Sequence, residues 1–180
     1  MLIVDPAAGG GRKNDYSAYM VGSTADNKLK YCRKGELAKI NARQEFDKYV
    51  DHMIELILQY EDITHVFIEK NTFNGADANQ LEKKLKEHNI LKHRKIIIIN
   101  ETQRKNKDDK ISTIIPYVNR GEFIFCSEDE EFIKQIMDFA GQKYSVHDDA
   151  PDVAAEFFLR VDKIKKVGKV ELLDRRLLGL

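Results

Sequence analysis

Acidic residues stand where they could bind metal. Asp5 ends the apolar run LIVD, and Glu69 ends the run HVFIE. Asp149 and Asp152 lie three residues apart at the start of an apolar-faced helical pattern, so they share one helix face. Such gathered carboxylates repel one another unless a hard cation with oxygen ligands neutralises them. Two such ions about 3.5–4 Å apart would cleave a phosphodiester. We therefore expect these four acids to hold two divalent ions, Mg²⁺ or Mn²⁺.

Three of these acids also have a purely structural interpretation. Asp5 suits a hairpin turn. Asp149 suits a helix N-cap, and Asp152 would complement the helix dipole. The occurrence of all of them at element ends favours metal. Neither a Ser-His-Asp nor a Cys-His set is evident, and none of the 5 histidines has the spacing typical of zinc ligands.

The glycine-rich stretch DPAAGGGRKND at 5–15 is not a nucleotide-binding loop. It lacks the Lys-Ser/Thr pair of a Walker A loop. A dinucleotide fingerprint would open a helix, whereas this stretch leads into a β-like run. We expect a flexible hairpin beside Asp5, where glycines let a bulky partner approach closely.

Hydrophobic periodicity predicts an α/β fold with a mixed sheet flanked by helices. The pattern predicts strands at 2–5, 15–22, 28–34, 64–69, 95–100 and 122–126. It predicts helices at 42–60, 74–88, 110–121, 128–141 and 151–165. The first three strands are expected to be antiparallel, and parallel βα units should follow. We expect a central strand at 95–100, a charged loop at 100–110, and a kink or break at Pro116.

Composition is that of a soluble globular domain. The chain has 180 residues, 42% of them hydrophobic, and a formal net charge of zero. No apolar run is long enough to cross a bilayer, so we expect no membrane partner. Although the net charge is zero, residues 83–110 form a basic stretch. This stretch predicts either a solvated surface or a polyanion-binding surface beside an acidic pocket. Two distant cysteines fit a reducing, intracellular setting.

The order of these motifs resembles a known family. DPAAGGGRKNDYSA, VFIEKN and HDDAPDVAAEF together are similar to the C-terminal nuclease domain of phage large terminase subunits, which belong to the ribonuclease H-like superfamily. The resemblance spans essentially the whole chain and implies the ribonuclease H-like fold.

The resemblance also implies roles for individual residues. Asp5 would bridge the metals, and Glu69 would be the acid contributed by a second strand. Asp149 and Asp152 would be the acidic pair of the last helix, and both are favoured over Asp148 as metal ligands. Further candidates around the metals are Asp15, His147 and Asp148. Candidates for DNA contact are Lys70, Arg104, Lys105 and Lys107.

The implied activity is cleavage of concatemeric double-stranded DNA during viral DNA packaging. Residues 1–180 would form a single nuclease domain, excised from a longer chain with an upstream ATPase domain. Its partners would be DNA, that ATPase domain, the small terminase and the portal. The isolated domain is expected to be a monomer acting in the cytoplasm of an infected bacterial host.

Two other functions remain open from the sequence. A junction resolvase or ribonuclease H would use the same chemistry on another substrate. A non-catalytic module that docks on DNA or a portal would use its acids only as caps and turns.

Overall fold

One mixed six-stranded sheet organises the chain. The computed structural model describes residues 1–7, 16–70, 73–102 and 106–164. Its strands run in the order β5-β4-β1-β2-β3-β6. They are β1 (Leu2–Asp5), β2 (Ser17–Thr24), β3 (Lys30–Ala38), β4 (His65–Glu69), β5 (Ile97–Glu101) and β6 (Phe123–Phe125). Among the described strands, β2 pairs antiparallel with β1 and β3, and every other neighbouring pair is parallel. The predicted fold class is therefore confirmed.

Within the described residues, six helices cover the two faces of the sheet. They are α1 (Phe46–Gln59), α2 (Ala76–Glu87), α3 (Lys107–Ser112), α4 (Ile115–Asn119), α5 (Glu130–Met137) and α6 (Asp149–Val161), with a short 3₁₀ turn at Leu91–His93. Alternate residues of β1 face opposite cores, as the pleat requires. Leu2 and Val4 pack with α1 and α2, whereas Ile3 packs with α6 and the helices beside it. No helix in the described ranges combines the length and apolar character needed to span a membrane.

Two glycines let aromatic side chains of the helices sit directly on the sheet. A Cβ at Gly22 would lie 2.5 Å from the Phe157 ring, and one at Gly35 would lie 2.4 Å from the Phe132 ring. The Gly35 amide also donates to the Asp129 carboxylate at 2.6 Å, just before α5. These contacts fix α5 and α6 at a short distance from β2 and β3.

Three local expectations need correction or refinement. The strand at 95–100 is not central, because β5 lies at one end of the strand order and Ile97 is 40% exposed. The segment 100–110 is not entirely a loop, because α3 begins at Lys107, where the Asn106 side chain accepts hydrogen bonds from two backbone amides. The helix predicted at 110–121 is broken into α3 and α4, with Pro116 in the first turn of α4, as its missing N–H favours. The glycine hairpin lies outside the described residues.

The packing predicts that Gly35→Ala destabilises the fold by about 1–3 kcal/mol, because the added methyl group overlaps the Phe132 ring. Urea denaturation would measure the loss. In a Phe132→Leu background the same substitution should cost clearly less, since the two sites are in contact. Equal losses in both backgrounds would contradict this packing.

Candidate metal centre

Three of the predicted acids converge at the carboxyl ends of two interior strands of the sheet. A carboxylate oxygen from each of Asp5, Glu69 and Asp152 lies within 4.8 Å of the other two. β1 and β4 are parallel neighbours with Val4 opposite Ile68, so the acids that end these strands lie side by side. The first turn of α6 adds Asp152, which is only 2% exposed. Sheet topology and one helix start therefore build the cluster.

The start of α6 is held by contacts other than a side-chain cap. Asp148, not Asp149, occupies the N-cap position, and its side chain makes no capping hydrogen bond. The Ala150 amide instead donates to Gln135 of α5 at 2.6 Å. Small buried residues of α6, Ala150 and Ala154 among them, face the second core and permit close packing on the sheet. The N-cap interpretation of Asp149 is thus wrong.

Two lysines of α3 reach into the acidic cluster. Lys107 Nζ lies 3.2 Å from Asp148 Oδ1 and 3.3 Å from Asp152 Oδ2. Lys110 contacts the other Asp152 oxygen, Oδ1, and lies 3.4 Å from Glu156 Oε2. Its side chain is only 3% exposed, so this cation is buried among the acids. Each oxygen of Asp152 consequently faces an ammonium group.

The ion pairs continue from the centre to the edge of the sheet. Arg160, one helical turn beyond Glu156, contacts that carboxylate and pairs with Glu101 at 2.9 Å. Its guanidinium lies over the Phe67 ring, 3.8 Å from the ring centroid. A continuous chain of opposite charges therefore links α3, α6 and the end of β5.

The acids raise one another's proton affinity. Burial, followed by repulsion from Asp152 and Glu69, raises the pKa of Asp5 well above its ordinary value. Burial and Asp152 also raise the pKa of Glu69, although Lys110 and Lys107 oppose the shift. For Lys107, burial lowers the pKa, but attraction to Asp152, Asp5 and Asp148 outweighs it and the net pKa is raised. The centre thus carries an excess of negative charge that its lysines only partly offset.

The three convergent carboxylates fit a divalent ion. Oxygen ligands that lie about 2.1 Å from one Mg²⁺ are at most about 4.2 Å apart. The three carboxylate oxygens lie within 4.8 Å of one another, so only a small movement would bring them to ligand distance. The excess of carboxylates is the ligand chemistry that Mg²⁺ and Mn²⁺ favour. Asp5, Glu69 and Asp152 are the residues that would hold the ion.

The other predicted residues divide into four groups. Asp149 lies near enough to raise the pKa of Asp5, and His147 Nδ1 is 4.0 Å from its carboxylate. Asp148 pairs with Lys107, as described above. Lys70 is exposed beside the cluster, and its backbone amide donates to the Glu101 carbonyl. Asp15, Arg104 and Lys105 lie outside the described residues.

Sequence reasoning missed three participants and misplaced a fourth. Lys110, Glu156 and Arg160 were not recognised, and Lys107 was taken for a loop residue facing DNA rather than a helical residue contacting the acids. One signal was available. Glu156 follows Asp152 by four residues inside an otherwise apolar helix face, and a charge there requires a buried partner.

Comparison with known proteins identifies the fold. No protein-family model matches the sequence, and no curated protein matches it. Among solved structures, the Mn-soaked human cytomegalovirus terminase nuclease domain aligns over 94% of this chain and 84% of its own, with a TM-score of 0.55 at 11% identity. The yeast mitochondrial Holliday junction resolvase aligns over 90% and 83%, with a TM-score of 0.53 at 8% identity. The chain therefore has the fold of the ribonuclease H-like nucleases.

The raised pKa of Asp5 predicts that Asp5→Asn stabilises the metal-free protein at pH 7.5. A carboxyl whose pKa is higher in the folded state than in the unfolded state makes the protein less stable as pH rises above about 4, the pKa of the group in the unfolded state. The amide has no such penalty. We expect a higher Tm for the variant in EDTA, by about 2–4 °C for each kcal/mol relieved, and a shrinking difference as pH falls toward 4.

Asp62→Asn is the matched control, because hydrogen bonding to Arg33 lowers the pKa of Asp62. This exposed carboxylate should give little change, and any change should be a loss of stability. A lower Tm for Asp5→Asn at pH 7.5 would contradict the repulsion inferred for the cluster.

Proposed function

We propose that this protein is a divalent-metal-dependent endonuclease. One observation carries the proposal: Asp5, Glu69 and Asp152 converge at the carboxyl end of two parallel strands, with oxygens within 4.8 Å of one another. Three acids from three separate elements, one of them 2% exposed, repel one another, and Lys107 and Lys110 offset only part of that repulsion. Caps and turns alone would not require this arrangement, which argues against a docking module.

The residues of the centre suit phosphodiester hydrolysis. A bound Mg²⁺ or Mn²⁺ would polarise the phosphate and lower the pKa of an attacking water. Asp5 and Glu69, at strand ends, and Asp152, held by Lys110, would fix the ligand oxygens in place. No nucleophilic side chain is needed. The exposed Lys70 beside Glu69 would meet the phosphate backbone of a long substrate.

Double-stranded DNA is the substrate we propose, in the role of a viral packaging terminase. The three sequence motifs occur in the order expected for terminase nuclease domains, and the fold resembles that of the cytomegalovirus domain. In this role the domain would cut concatemeric DNA alongside an ATPase domain, a small terminase and a portal. The three convergent acids suffice for one Mg²⁺ or Mn²⁺, and the two ions expected from the sequence would need Asp149 as a further ligand.

Junction cleavage is the second candidate, because the fold equally resembles the yeast resolvase. A resolvase would place two such centres on one four-way junction and so require a dimer. The two candidates share the metal chemistry and differ in substrate.

We expect the protein to nick supercoiled plasmid with Mg²⁺ or Mn²⁺ and to be inactive in EDTA. Asp5→Ala should lower the rate at least about 100-fold, because it removes a ligand oxygen of the centre. Asp62→Asn, which alters an acid just before β4 rather than at its end, should cleave as the wild type does. Cleavage by Asp5→Ala at the wild-type rate would refute the assigned centre.

A substrate panel distinguishes the candidates. Linear duplex DNA, a four-way junction and an RNA–DNA hybrid of equal length would be compared in Mn²⁺. The terminase role predicts that duplex DNA is cut at least as fast as the junction, with no requirement for the ribose 2′-hydroxyl. A junction preference of tenfold or more, together with dimerisation, would instead establish the resolvase function.

A further inference from the structure

Lys110 is buried against the acidic cluster. It contacts Asp152 Oδ1 and lies 3.4 Å from Glu156. The free space between these groups and the two strand-end acids is only about 10 Å³. That volume is at the lower limit for a single water molecule. A fully hydrated ion therefore does not fit between Lys110 and these acids.

Lys107 is the more exposed of the two lysines. Its ammonium group lies between Asp152 Oδ2 and Asp148 Oδ1, at 3.3 and 3.2 Å, and the side chain is 30% exposed. Its backbone is anchored because the Asn106 side chain caps α3, and Asp108 accepts a hydrogen bond from the Gln142 amide. The fold therefore holds this cation toward the acids of α6.

A cation already occupies the space between Asp148 and Asp152. The ammonium of Lys107 lies within 3.3 Å of an oxygen of each of these two acids. A second ion near Asp152 and Asp148 would meet the ammonium of Lys107 and be repelled.

We propose that the centre takes a single divalent ion and that the ammonium of Lys107 takes the place of the second. This inference rests on the proposed function. Asp5, Glu69 and Asp152 supply the ligands of that ion, and Asp148 retains Lys107 beside it. A lysine ammonium has three donors and a full charge, which suits a phosphate oxygen.

In hydrolysis, the oxygen of water forms a new bond to phosphorus, and the bond from phosphorus to the 3′ oxygen breaks. One proton of the water is finally carried by that leaving oxygen. Lys107 donates a hydrogen bond to the oxygen as its negative charge develops, and it keeps its own proton throughout. It thereby contributes the electrostatic stabilisation that a second ion supplies in two-metal sites.

The test counts Mn²⁺ ions bound per chain, from the paramagnetic resonance signal of free Mn²⁺ during a titration. The wild type should bind one ion. Lys107→Met should bind two, or bind the first at least tenfold more tightly, because a competing cation is gone. Lys86→Met is the matched control, since it removes a surface lysine of α2 that pairs only with Glu82 among the described residues, and it should match the wild type.

Cleavage gives an independent readout. For the wild type, the initial rate should rise hyperbolically with Mn²⁺ concentration. For Lys107→Met it should become at least tenfold slower at low Mn²⁺ and rise sigmoidally, as a second ion substitutes for the lysine. Thermal unfolding would confirm that both variants fold.

The outcomes separate this inference from the proposed function. Two Mn²⁺ ions on the wild type, or one ion of unchanged affinity on Lys107→Met, would overturn the role of Lys107 and leave the nuclease proposal intact. No Mn²⁺ binding by the folded wild type would overturn both.

Discussion

Repulsion among closely spaced carboxylates is the constraint on which the rest of this structure depends. Asp5 and Glu69, which are half-buried, and the buried Asp152 are brought together by the ends of two strands and the start of a helix. Their proximity is tolerated because α3 inserts Lys107 and Lys110 between α6 and the sheet edge. Removal of one charged partner from such a set destabilises a protein more than replacement of the whole set by apolar residues does. The lysines are therefore as much part of the centre as the acids.

The scaffold keeps these charges in position through close packing rather than through capping. α6 approaches the sheet because Gly22 leaves space for the ring of Phe157, and small side chains line the helix near its start. Gly35 does the same for Phe132 of α5, from which Gln135 reaches the first turn of α6. Helix position, and with it the position of Asp152, thus depends on two residues without side chains.

The sequence was informative where a local pattern determines the structure. Apolar runs that end in an acid predicted Asp5 and Glu69, because parallel strands place their carboxyl ends at one edge. Lys110 could not be found this way, since nothing local distinguishes it from a solvated lysine; its partners come from α6, far along the chain.

Strand order was equally inaccessible from the sequence. The isoleucine run of β5 is typical of a central strand, but its place at the end of the order depends on which neighbours the whole chain provides.

The distribution of the centre along the chain has a consequence for synthesis. Asp5 leaves the ribosome well before Asp152, which belongs to the last of the described helices. The central strands can pair while α6 is still being made, but the acidic cluster cannot close until that helix docks. Assembly of the centre therefore waits for the synthesis of α6, and a translation product truncated before α6 would carry the sheet without the complete set of acids that gathers metal on it.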